Sequence, residues 1–211
     1  MLLLALFATF FFGGIAQPGE LQRVIGTILV ATTLMLALYA AEMPPRRMRI
    51  AVAIILAVVI GVVILSVAGK GRTAIGIAAI ANALLVMLAP PAVAIGLLRN
   101  LRTTGTVTVT VVAGVLCLYL LLGLFFAFIY TAIQNLGGAP FFANGAAATS
   151  DRSVYFSFVT LATLGYGDYT ARTNLGHTLS VTEALLGQIY LVTVVATIVA
   201  RLAPRRLARE D

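Results

Sequence analysis

Long apolar runs separated by short polar knots set the pattern of this chain. The runs cover 2–16, 24–41, 50–68, 73–98, 103–133 and 179–202, divided by turns such as Gln17-Pro18-Gly19-Glu20 and Gly69-Lys70-Gly71-Arg72. Most approach or exceed the ~20 residues a helix needs to cross a bilayer core. The first is short, yet no Lys or Arg precedes it, so it reads as a first span rather than a signal peptide. Pro90-Pro91 lies inside the fourth run, where missing backbone donors predict a kink or break. Thr103 to Thr110 alternates like a strand, but the apolar run continues to Ile133 and favours a helix entering a membrane. The pattern therefore predicts an all-α membrane protein.

One stretch, between the last two runs, departs from this regularity. Gln134 to Ser150 is rich in Gly, Ala and Asn and predicts an exposed loop. Thr149, Ser150 or Asp151 can cap a short helix that runs on to about Thr163. Then comes Thr160-Leu161-Ala162-Thr163-Leu164-Gly165-Tyr166-Gly167-Asp168, too polar and too rich in glycine for a span. Gly165 and Gly167 flank Tyr166, so the backbone there is free to adopt positive φ. A ribbon of that kind can aim successive carbonyls to one side, and a ring of such dipoles can replace the water around a cation.

Composition narrows the class. The chain is 61% hydrophobic and 10% charged, with a mean hydropathy of +1.07, far from the balance of a soluble domain. The net charge of +7 resides mostly in arginines at run ends, where they orient spans and meet lipid headgroups. No basic face with interleaved aromatics lies outside the runs, which argues against nucleic acid as a partner. Cys117, the single cysteine, sits in an apolar run and permits no intrachain disulfide. One histidine, no paired carboxylates and no phosphate loop argue against an enzyme.

Thr163-Leu164-Gly165-Tyr166-Gly167, the aromatic helix Tyr155-Phe156-Ser157-Phe158-Val159-Thr160 before it, Asp168 after it and the two flanking runs resemble the pore domain of potassium channels. Leu164 stands where the family pattern has valine. The resemblance spans roughly Thr106 to Leu202. It implies that 103–203 is a pore domain of outer helix, re-entrant pore helix with filter, and inner helix. Residues 1–102 then form a four-helix transmembrane domain in the place of a voltage sensor, and 204–211 a cytoplasmic tail. It also implies a cyclic homotetramer, because a single filter ribbon per chain cannot surround an ion.

The same resemblance assigns residues. Carbonyls of Thr163, Leu164, Gly165 and Tyr166, with the Thr163 hydroxyl, would bind potassium ions, and Gly167 would complete the filter. Tyr155 and Phe156 would brace Tyr166, and Asp168 would tie the outer mouth. The C-terminal end of the pore helix would turn its partial negative charge toward a central cavity. Gly187 falls where the family often has a hinge glycine, although a glycine for close helix packing reads almost as well. Gln188, Leu191 and Val195 follow it at cavity-lining spacing. Glu183 is a carboxylate within an apolar run, costly unless paired or wet, and reads either as a proton-sensitive element behind the pore helix or as a satisfied structural group. His177 reads as a solvated or packing residue.

With the filter facing outward, nine of the fourteen basic residues fall inside and five outside, and both chain ends are cytoplasmic. The expected location is an integral protein of a bacterial plasma membrane, with lipids as partners. The fourth run offers only Arg99 and Arg102, just past its inner end, and a voltage sensor needs about three to four charges moving through the field. Weak voltage dependence is therefore expected. The leading expectation is a passive potassium-selective channel. A less selective cation channel, a subunit of a potassium-uptake transporter and a non-conducting membrane packing or lipid-binding protein stay open.

Overall fold

The computed structural model of the protein describes residues 20–40, 45–68, 71–104 and 109–202. Among them run six helices and no strand: α1 (Glu20–Ala40), α2 (Pro45–Ala68), α3 (Arg72–Thr104), α4 (Val109–Leu136), α5 (Ser150–Leu161) and α6 (Asn174–Leu202). The runs of Leu, Val, Ile and Ala that form them carry good helix formers, or β-branched residues that packing holds helical. Hydroxyls within the apolar helices are satisfied locally, as where Thr32 and Thr33 donate to the carbonyls of Ile28 and Leu29.

α4 is the shared wall between two cores. On one side Cys117, Leu121 and Leu124 of α4 join Val30, Ala31 and Leu34 of α1, Ile55 of α2, and Leu85 and Val86 of α3. On the other, Phe126 and Tyr130 of α4 join Phe141, Phe142, Ala148, Phe156 and Ala171. α3 lies along α4 more extensively than any other pair of helices meets. α3 packs on the α4 of its own chain, and α1 and α2 pack on α3. Asn82 of α3, unassigned from sequence, donates to the Thr27 hydroxyl of α1 at 3.1 Å in the buried seam.

Among the described residues, two helices are long and apolar enough to cross a membrane, α4 over Val112–Leu136 and α6 over Asn174–Ala196. The run at 2–16 and the tail at 204–211 lie outside the described residues. The runs at 24–41, 50–68 and 73–98 fall on α1, α2 and α3, helices of 21, 24 and 33 residues; four leading spans are not shown among the described residues.

α3 runs on through Pro90-Pro91 without a break. Each proline removes one donor from the ladder, and the remaining turns carry the helix across. The segment after α4 is also not a free loop, since Phe141, Phe142 and Ala148 are all buried. Finally, positive φ occurs at Gly165 (93°) but at Thr163 (52°) in place of Gly167.

Candidate functional site

α5 is a 12-residue helix wedged between α4 and α6. Thr149 occupies its N-cap position without a side-chain cap bond, and Asp151 supplies the acidic residue of the first turn. The helix ends in a Schellman turn. Thr163 takes the left-handed conformation, its N–H donates to Thr160 O at 3.0 Å, and the N–H of Leu164 donates to Val159 O at 3.0 Å. Ala162 N–H donates to Phe158 O at 3.0 Å. The Tyr119 hydroxyl of α4 donates to Leu161 O at 3.2 Å, so all four terminal carbonyls of α5 have donors.

A β-branched residue at positive φ is a genuine outlier, and strain of this sort costs on the order of 1–3 kcal/mol and persists only where the surroundings enforce it. Thr163 is held there by the Schellman bonds and by α6, from which the Gln188 Nε2 donates to the Thr163 hydroxyl at 2.9 Å. From Thr163 to Gly165, φ runs positive, negative, positive. Gly165 supplies the second left-handed position at no steric cost. The side chain of Leu164 is 76% exposed, and Thr163 to Asp168 are exposed throughout this single chain.

The ribbon is anchored from behind by an aromatic cluster centred on Phe156. Tyr166 stacks on Phe156 with ring centroids 5.0 Å apart, and Phe156 in turn meets Tyr130, Phe141 and Phe142. The Thr160 hydroxyl spends its one proton on Phe156 O at 2.7 Å, so its 2.7 Å contact with Tyr166 is donated by the Tyr166 hydroxyl. Within the chain Tyr155 meets Asp168 and Tyr169. Its side chain points to the other side of α5, where its hydroxyl donates to Asp168 Oδ1 at 3.1 Å and its ring meets Tyr169 edge-on. The bond to Asp168 holds the Tyr155 phenol above its ordinary pKa.

The segment before α5 is fastened by one amide that sequence reasoning did not single out. Gln134 Oε1 accepts from the backbone N–H groups of Phe141 and Ala148, both at 2.9 Å. Arg72, at the start of α3, donates to the Gln134 carbonyl at 2.8 Å and to that of Gly137 at 3.3 Å, capping the C-terminal end of α4. A short antiparallel bridge between Phe142 and Ala171 ties this segment to the chain leaving the ribbon. Asn144 Nδ2 donates to Asp168 O at 2.9 Å across the same junction. No local pattern announces a glutamine that closes a loop by two backbone bonds. The signal available was only its place at the end of an apolar run.

α6 contributes the remaining candidates. Glu183 is fully buried. The Tyr130 hydroxyl of α4 donates to its Oε2 at 2.6 Å, and its Oε1 meets the Ser157 hydroxyl of α5. Gly187 is in close contact with α5. A Cβ at this position would lie 2.7 Å from the Leu161 carbonyl oxygen and 2.7 Å from Leu161 Cδ1, so its small size serves packing. Gln188 reaches the ribbon, whereas Leu191 is half-buried and Val195 exposed. His177 Nε2 donates to Ala171 O at 2.7 Å and is not part of the ribbon's support. Among the described residues no cluster of three or more His, Cys, Asp or Glu suited to a metal ion occurs.

Two long apolar helices bracket a short helix, which is followed by an exposed ribbon with positive φ at Thr163 and Gly165. Residues 114–203, fewer than half of the chain, match the family model described as ion channel. No curated protein matches, and no solved structure matches.

Proposed function

We propose that the protein is a passive, potassium-selective channel made of four copies of this chain, in which Thr163 to Gly167 form the filter. The observation that carries this reading is the ribbon itself. Its φ alternates, its threonine is held in a strained left-handed conformation, and its Tyr166 ring is stacked on Phe156 while Leu164 faces open space. Alternation turns successive peptide groups the same way, and carbonyls so arranged around an axis suit a dehydrated cation. A fourfold ring supplies the axis that a single chain lacks. The uncovered apolar side chains of α6, Leu185, Ile189 and Val192, fit contact with neighbouring copies. Match of 114–203 to an ion-channel family favours the same class.

In this reading carbonyls of Thr163, Leu164, Gly165 and Tyr166, with the Thr163 hydroxyl, hold potassium ions, and Asp168 with Tyr155 steadies the outer mouth. Leu164 changes the packing of the ribbon and leaves its carbonyl in place. Both chain ends lie in the cytoplasm, lipids surround the N-terminal helices, and voltage dependence is weak. Rubidium uptake into proteoliposomes, with barium block and a sodium comparison, tests it. Barium-sensitive rubidium flux that exceeds sodium flux is the expected result. Equal rubidium and sodium flux would mean an unselective cation channel, and no flux from a well-folded assembly would defeat the channel reading.

A further inference from the structure

The Ser157 hydroxyl has one proton and two oxygen neighbours. One is the Gly123 carbonyl of α4 at 2.7 Å, and the other is Glu183 Oε1 of α6. A carbonyl oxygen can only accept, so the Gly123 contact uses the serine proton. The Ser157–Glu183 contact then needs a proton from the carboxyl side. The second carboxyl oxygen, Oε2, accepts from Tyr130 at 2.6 Å. We infer that Glu183 is a neutral carboxylic acid that donates to Ser157 and accepts from Tyr130, a positioning residue that fixes α5 to both long helices.

The resulting bonds run in one direction: Tyr130 hydroxyl to Glu183, Glu183 to Ser157, and Ser157 to Gly123 carbonyl. They begin and end on α4 and pass through α6 and α5. Every proton has an acceptor. The surroundings agree with a neutral group. Titratable groups that face it are Tyr130 and Tyr119, both from α4; α5 presents Ser157, and no cation pairs with Glu183 among the described residues. Burying an ionised carboxylate there without a counter-charge would be expensive, while a fully bonded neutral acid is tolerable. Ser157 lies one residue after Phe156, the hub behind Tyr166, so the chain of bonds fixes the helix that carries the ribbon's main brace.

The consequence for ion flux rests on the channel reading above, but the proton assignment does not. Infrared difference spectra of the purified full-length protein test the assignment directly. Substitution Glu183→Gln should abolish a carbonyl band of a protonated carboxyl group. Tyr130→Phe should shift that band to higher frequency by removing a bond to its carbonyl oxygen. The amide introduced by E183Q keeps the same pattern, donating from its nitrogen and accepting at its oxygen, so this variant should melt like the parent and conduct within about twofold of it. E183A should lose heat stability and flux. Loss of a carboxylate band instead of a carboxylic acid band in E183Q would overturn the inference. So would E183Q being as damaged as E183A. If the bands behave as expected and no variant or parent conducts, the assignment stands and the channel reading fails.

Discussion

The Gln188 amide of α6 donates to the hydroxyl of Thr163, 25 positions earlier, across 2.9 Å. The last helix therefore holds the inner end of the ribbon at the residue with the strained backbone. Replacing Gln188 by Leu removes that hold and lets Thr163 relax. One hydrogen bond is worth about 1 kcal/mol, so in the channel reading proposed above barium block of rubidium flux is expected to weaken about fivefold. Dose–response curves of rubidium flux measure it, and unchanged block would assign the bond no role.

Gly187 is required for contact with Leu161. An added methyl meets a backbone carbonyl oxygen as well as a flexible side chain, and the carbonyl cannot easily yield. Gly187→Ala is expected to destabilise the fold by roughly 1–3 kcal/mol, the usual cost of overpacking. Thermal unfolding followed by near-ultraviolet circular dichroism of the tyrosines reads this out. A glycine serving only as a flexible hinge would leave the melting temperature in place.

Gln134 closes the segment before α5 with two bonds to buried backbone donors. Gln134→Leu leaves both donors without partners, at about 1–3 kcal/mol each unless water reaches them. Hydrogen exchange at Phe141 and Ala148 should rise strongly, with exchange in α1 and α2 unaffected. Gln134→Glu keeps the acceptor and should protect both amides.

Tyr155 and Asp168 give a pH-dependent test. Since the bond to Asp168 raises the phenol pKa from 10.0, its contribution is full at neutral pH and is lost as pH rises through the raised value. Ion flux of the parent and of Tyr155→Phe should therefore differ in the neutral range and converge in strong base. The difference is expected to be small, because the bond is exposed to water.

Conductance in planar bilayers should vary little with voltage. Arg99 and Arg102 make too few charges for a sensor, given about 2.3 kcal/mol per charge per 100 mV. A steep conductance–voltage curve from the purified protein would sink this expectation.

The helical class, the short helix before the ribbon and the break in pattern at 134–179 were legible because apolar runs and glycine spacing act locally. The depth of Glu183 was hinted at by a carboxylate among apolar neighbours, but its partners Tyr130 and Ser157 lie 53 and 26 positions away. Tyr155 and Phe156 are neighbours on a helix and point about 100° apart, so within one chain Phe156 stacks on Tyr166 and Tyr155 turns to Asp168. Thr163 at positive φ was hidden for a different reason. Glycine advertises that conformation, whereas a threonine adopts it only when surrounding bonds compel it. Gln134 and Arg72 act on backbone atoms, and backbone atoms carry no sequence signature.

Tyr119 completes the set of donors at the tip of α5. With Phe158, Val159, Thr160 and Leu161 oxygens all engaged, each of the last four carbonyls of that helix already holds a donor. In the channel reading proposed above, an ion beneath the ribbon would meet carbonyls already in use and feel the helix chiefly as a field.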